Sequence, residues 1–423
     1  MPVCFDFSGL QVCFPPVLRT LRQAEYAELM ILFFIQSLAM AMWFVPLGTI
    51  LDAHGLRTIK PLAFAASAVA AFISPLMFGA LADRHVPPAK LLRGLALATA
   101  VFITLISKAL KAHANAWLIL ALIQVFYLAY APMFTISTAL VLARLKDAKK
   151  EFGPIRALAT IGWMSGALLI GTLGLDRSEY AGYLGAGVWL AVAAFTYFLP
   201  ALEIPKSAEH LKWHERLGLD ALSLLKDRDV RVVFIVTTLF NIPLAAFYPY
   251  APTHLHDLGF LHTSAWMSLA QTTEIIGMFG LVWLLAHWQL KWIFACGLGI
   301  GVARFAFSAV NTKSSLLVGV TLHGASFVLV FITAQIFLEQ NIASAWRNRA
   351  QALLTLLNGG VGNLIGYLGG GWWFAACTTP GRTDWRLFWG VLAGIVAMVL
   401  IYFLIAYRDL GFKPSQRTSV LRV

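Results

Sequence analysis

The sequence predicts an all-α membrane protein, with about twelve transmembrane helices in two six-helix pseudo-symmetric bundles and both termini in the cytoplasm. Three observations carry that prediction. Of the 423 residues, 59% are hydrophobic and only 12% are charged, with a mean hydropathy of +0.76, whereas soluble domains carry about a quarter of charged residues. Apolar windows of about 20 residues, the length that crosses about 30 Å of hydrocarbon, recur from end to end. One long charged connection stands midway and divides the windows into two equal sets.

Residues 1–26 read as a cytoplasmic N-terminal segment. Arg19 and Arg22 lie there without the apolar core of a signal peptide, and the first window that follows is long enough to span. The first bundle, residues 27–201, takes windows at 27–50, 62–82, 92–110, 116–143, 154–174 and 182–201. Residues 202–228 form the cytoplasmic connection. Apolar residues at helical spacing from Leu217 to Leu225 predict an amphipathic helix there, lying on the inner membrane surface. The second bundle, residues 229–408, takes windows at 229–253, 264–286, 290–310, 315–337, 350–375 and 386–407, and residues 409–423 form a cytoplasmic tail.

Assigning Lys and Arg to alternate sides leaves about 22 on the side of the termini and about 8 on the other, the bias that marks a cytoplasmic face. The formal net charge of +12 is then a matter of topology and implies no nucleic-acid partner. Cys4, Cys13, Cys296 and Cys377 show neither CxxC spacing nor a nearby His cluster, so no metal site and no disulfide framework is expected. The chain has no GxxxxGK[ST] loop, which argues against ATP as the driving force, and no cofactor is expected.

Ionisable residues inside apolar windows need a reason, because a carboxylate at mid-bilayer costs about 2.5–3.5 kcal/mol on insertion scales. The stretch SLAQTTEIIGM, Ser268 to Met278, sets Gln271 and Glu274 three residues apart on one helix face. Arg156 and Thr160, four apart, share a face in the fifth window, with Trp163 beside them. Together they offer a cationic fork, a hydroxyl and a ring that stacks on planar groups. The plain alternatives are a structural ion pair for Glu274 and an ordinary basic residue at a span's cytoplasmic end for Arg156. Glu274 and Arg304 fall in consecutive windows at comparable depth, which predicts that they pair. Burial favours the protonated carboxyl and an opposite charge the ionised one, so Glu274 and His323, with Arg304 nearby, are the candidates for proton coupling. Gln36, Gln124, Asn241, Gln335, Asn358 and Asn363 read as helix-to-helix glue. Gly162, Gly166 and the glycines from Gly359 to Gly371 read as close-packing positions.

Two six-span halves joined by a cytoplasmic loop form the plan of the major facilitator superfamily. GALADRHVPPAKL, Gly79 to Leu91, resembles that superfamily's signature loop through Gly79, Asp83 and Arg84. Other stretches resemble the bacterial nucleoside–proton symporters within it. They are MWFVPLGTIL at Met42 to Leu51, EFGPIRALATIGWMSGALLIG at Glu151 to Gly171, AQTTEI at Ala270 to Ile275, LHGASFVLVFITAQIF at Leu322 to Phe337 and GGVGNLIG at Gly359 to Gly366. The resemblance implies substrate contacts at Arg156, Thr160 and Trp163 from the first half and at Gln271 and Glu274 from the second. It also implies a multi-pass protein of the bacterial inner membrane that takes up nucleosides with protons, and a monomer is expected. The sequence departs from the family at three places. Phe327 is followed by Val328 where the family carries an acidic residue, Pro249 and Pro252 of FYPYAP stand where it has an amide pair, and Thr138 replaces its usual Asn. These departures keep open a transporter of a sugar or other small metabolite, coupled to protons or not, and a non-transporting membrane sensor.

Overall fold

The computed structural model describes residues 3–7, 10–14, 26–82, 87–145, 148–199 and 213–408. An antiparallel hairpin of β1 (Val3–Phe7) and β2 (Leu10–Phe14) precedes the helices. α1 (Ala27–Phe44) runs up to Pro46, which has no N–H with which to continue it, and the chain restarts as α2 (Leu47–Ala53). The Thr49 hydroxyl donates to the Pro46 carbonyl (2.9 Å) across that break. Then come α3 (Lys60–Ala82), α4 (Pro88–Lys111), α5 (Ala116–Arg144), α6 (Ala148–Thr172) and α7 (Tyr180–Phe195). Pro88 costs α4 nothing in its first turn, and the Asn115 side chain caps α5 by accepting from the Trp117 N–H (2.8 Å).

Asp227 caps α8 (Arg228–Ala245), whose internal Pro243 precedes a bend into α9 (Phe247–Asp257). After these come α10 (Thr263–Met267), α11 (Leu269–His287), α12 (Leu290–Val310) and α13 (Lys313–Phe327). A π-helical stretch, Val328–Ile332, leads α13 into α14 (Thr333–Asn341). A second, Leu356–Gly362, joins α15 (Ser344–Thr355) to α16 (Asn363–Ala376), and α17 (Trp385–Ala406) follows. Among the described residues, ten stretches are long and apolar enough to cross a membrane, and α7 is a shorter apolar helix. Every predicted window falls largely on helix, although the one at 182–201 ends its helix at Phe195.

Two large apolar clusters fill the interior. One is built mainly from α1 to α7 around Trp43, Phe126 and Trp189, the other mainly from α8 onward around Phe240, Phe305 and Trp389. Small residues let backbones meet. Cβ atoms at Gly162 and Gly166 would strike the carbonyls of Phe34 and Leu38, so α1 and α6 pack at glycine distance, and Gly366 meets Ile242 in the same way. Asn241 donates to the Asn358 carbonyl (2.7 Å) and to Asn363 Oδ1 (2.8 Å), and Gln124 donates to the Ala66 carbonyl (3.2 Å). These amides act as the expected glue.

The amphipathic helix expected from Leu217 to Leu225 is different in form and in placement. It is a 3-10 segment, Leu219–Lys226, entered through left-handed Gly218. Its buried Ala221 and the neighbouring Leu217 meet protein rather than lipid, because Glu215 and Asp220 pair with Arg349 of α15 (3.7 and 3.8 Å) and draw the segment onto that helix.

The two halves of the chain close on each other at the end away from Tyr26 and Tyr407. There Asp52 accepts from Lys60 Nζ (2.5 Å), from Arg57 Nε (3.3 Å) and, across the halves, from the Thr253 hydroxyl (2.9 Å). Thr253 accepts in turn from Lys60 (3.0 Å), which is fully buried. Asp176 accepts from the Ser264 N–H (2.5 Å) and the Thr263 hydroxyl (3.2 Å), and Arg177 meets His256. At the other end the ion pairs Arg144 with Glu28 (3.1 Å) and Arg347 with Glu339 (3.1 Å) each stay within one half.

Candidate functional site

Near the middle of α6 and of the α10–α11 stretch, the halves meet through polar side chains. The Thr160 hydroxyl donates to Glu274 Oε1 (3.1 Å). Arg156, one turn earlier on α6, is near enough to Glu274 for their charges to attract without an ion-pair contact, and its guanidinium lies 4.7 Å over the Phe134 ring. Gln271, one turn before Glu274 on α11, is buried and donates to the Tyr248 hydroxyl at 3.4 Å. Its Oε1 and the Trp163 indole N–H are both buried without a partner. Such orphaned groups cost about 1–3 kcal/mol each, so a polar ligand that reached them would be rewarded. Phe44, Trp163 and Tyr248 form a mutual aromatic triad, with centroids 5.1 to 5.9 Å apart. The five residues expected to contact substrate, Arg156, Thr160, Trp163, Gln271 and Glu274, thus lie around one junction.

The expected pairing of Glu274 with Arg304 is not found. Arg304 Nη1 instead donates to His323 Nδ1 (2.7 Å), and the guanidinium lies 4.5 Å from the ring centroids of Phe247 and Phe305. The reason is topological. α13 packs closely on both α11 and α12, while α11 and α12 barely touch, so helices adjacent in sequence are separated in space. Glu274 is turned toward α6 and Arg304 toward α9 and α13.

Three further placements bear on the family departures. Val328 is fully buried among Leu281, Ile293 and Leu329 and packs against Gly277. Pro249 sits with its carbonyl against Gly48, whereas its neighbour Tyr248 reaches the polar junction. Thr138 spends its hydroxyl on the Phe134 carbonyl (2.8 Å). Gly79 lies in α3, and Asp83 and Arg84 lie outside the described residues. Arg93 of α4 donates to the Thr196 hydroxyl (2.9 Å) and covers the Tyr197 ring.

Tyr248, Asp52, Lys60 and Asp176 were not legible as site or seal residues in the sequence. A tyrosine inside FYPYAP breaks no apolar pattern, and charges near window ends look like ordinary loop residues. The spacing of Asp52 and Lys60 across a helix break gave no signal of a pair.

Membrane-length helices, closed on each other at one end and joined at mid-length by the Thr160–Glu274 hydrogen bond between the halves, make this a helical protein of the multi-pass membrane type. A family model described as "Nucleoside H+ symporter" matches residues 24–411, and the chain belongs to that family. YegT of Escherichia coli (strain K12) is 29% identical over 403 residues, covering 90% of this chain and 94% of that one. Nucleoside permease NupG of the same organism is 25% identical over 406 residues, covering 90% and 95%. The crystal structure of the nucleoside transporter NupG matches with a TM-score of 0.81 at 22% identity, over 92% of this chain and 100% of that one.

Proposed function

We propose that the protein takes up nucleosides together with protons by alternating access, with the substrate held between Arg156, Thr160 and Trp163 on one side and Gln271 and Glu274 on the other. The observation that carries this reading is the Thr160–Glu274 hydrogen bond, which joins the halves beside two orphaned buried polar atoms, Gln271 Oε1 and Trp163 Nε1. A nucleoside supplies donors and acceptors for both atoms and a planar base to stack on the aromatic triad. Family membership and the nucleoside-transporting relatives support the substrate class. Glu274, His323 and Arg304 are the ionisable groups to which coupling is assigned.

The same reading takes the helices as twelve spans, counting α3 and α7 with the ten apolar stretches. It places bundles at residues 27–201 and 229–408 around a cytoplasmic connection at 202–228, and both termini in the cytoplasm. The protein is a monomer of the bacterial inner membrane. On this topology the closed end faces outward, and the structure is an inward-facing state.

Uptake of labelled uridine and adenosine into proteoliposomes, with and without an inward proton gradient, tests the proposal. Gradient-stimulated uptake is expected. Uptake indifferent to the gradient would make the protein a facilitator, and no uptake of either nucleoside would move the search to sugars and other small metabolites.

A further inference from the structure

We infer that His323 binds the coupled proton and that Arg304 is the cation this proton displaces. The proposal deepens the proton-coupled reading above and rests on it.

A guanidinium has only donors. The 2.7 Å contact from Arg304 Nη1 therefore makes His323 Nδ1 an acceptor, and the imidazole in this state is neutral, with its hydrogen on Nε2. A proton arriving on Nδ1 removes the acceptor and sets two cations at hydrogen-bond distance where almost no solvent reaches, Arg304 being 1% and His323 5% exposed. The bond and the proton exclude each other. The step forms one N–H bond at Nδ1 and breaks one O–H bond of a hydronium ion, which leaves as water; the Arg304 hydrogen bond is lost with it, and release of the proton to water reverses it.

The surroundings make the exchange consequential. From α12 the group facing His323 is Arg304. From α9 they are Phe247, stacked at 4.1 Å, and Tyr248, edge-on at 5.9 Å. α11 brings Glu274, whose backbone lies against Gly324, next to His323 in the chain. Among the described residues no carboxylate comes within ion-pairing distance of either Arg304 or His323, and Glu274 is engaged by Thr160. Phe247 packs on both groups, its ring stacked on His323 and 4.5 Å from the Arg304 guanidinium, so separation of the two disturbs the packing of α9. That helix also carries Thr253 of the outer closure and Tyr248, which accepts from Gln271. One proton thus biases both the closure and the substrate junction through a single helix.

The test is His323→Asn, whose Oδ1 falls near the place of Nδ1 and still accepts from Arg304 but takes up no proton. In proteoliposomes, exchange of labelled for unlabelled uridine should stay within about threefold of wild type. Gradient-driven accumulation should fall at least about tenfold, and the dependence of uptake on pH between about 5 and 8 should flatten. Accumulation and a pH profile like those of wild type would overturn the proposal. Should the variant fail to exchange, proton uptake on uridine binding, followed with a pH dye in weakly buffered detergent, decides for wild type, His323→Asn and His323→Gln. Loss of that proton in a variant that binds uridine supports the assignment, and its retention overturns it. Wild-type uptake indifferent to the gradient would instead remove the coupled reading itself, and this proposal with it.

Discussion

Glu274 is held by a neutral hydroxyl from the opposite half of the chain, with the Arg156 cation of the hydroxyl's own helix near enough to attract its charge. Its bond to Thr160 must break whenever the junction opens, so it contributes to the equilibrium between states as well as to the site. Thr160→Val keeps the shape and removes the donor. A net loss of about 1 kcal/mol, or about fivefold in uridine affinity, is expected by titration calorimetry, and unchanged affinity would take Thr160 out of the site. At this scale the sequence was readable where a polar residue interrupts an apolar run at helical spacing, as Arg156 and Thr160 or Gln271 and Glu274 do. It was not readable where the residue type suits its surroundings, as with Tyr248. The expected Glu274–Arg304 pair failed because depth in consecutive spans says nothing about which helix lies between them.

The helices themselves follow from apolar length, whereas their limits at Pro46, Pro88, Asn115 and Asp227 are set by local chemistry that the apolar windows did not use: the window at 27–50 runs through Pro46, and the one at 92–110 starts a turn after Pro88. Two further features were not legible. The π-helical stretches at Val328–Ile332 and Leu356–Gly362 add a residue to a turn without altering composition. The 3-10 segment after Gly218 depends on Arg349, more than a hundred residues away. Glycines of the Gly359–Gly371 run also divide in a way that only packing reveals. A Cβ at Gly366 meets the Ile242 carbonyl, while one at Gly369 meets nothing within 4 Å. Gly366→Ala should therefore lower the melting temperature of the purified protein, with a cost of about 1–3 kcal/mol. Gly369→Ala should leave it unchanged or raise it slightly. Equal effects of the two would mean that α8 and α16 do not pack at glycine distance.

Across the whole molecule, the Asp52 cluster of the closure keeps its opposite charges within one half, so opening does not part them. Asp52 and Lys60 belong to the same half and stay together, and what the other half contributes is the uncharged Thr253. A buried pair split between halves would cost about 3–5 kcal/mol to break, whereas hydroxyl contacts cost about 1 kcal/mol each. Thr253→Val should accordingly shift the population toward the state in which this end is open, outward-open on the proposed topology. A cysteine placed at Thr49 should then react several-fold faster with an impermeant maleimide added outside, and an unchanged rate would show that the closure does not depend on this contact. Asp176 adds a consequence for local folding. α10 begins at left-handed His262 with no cap of its own, and the carboxylate that serves its Ser264 N–H comes from the other half. The first turn of α10 is therefore completed only while the halves are together. Hydrogen exchange at Ser264 should quicken when the protein is driven outward-open and slow when it is held inward-facing, so that an amide clock at this one peptide reports the transport cycle.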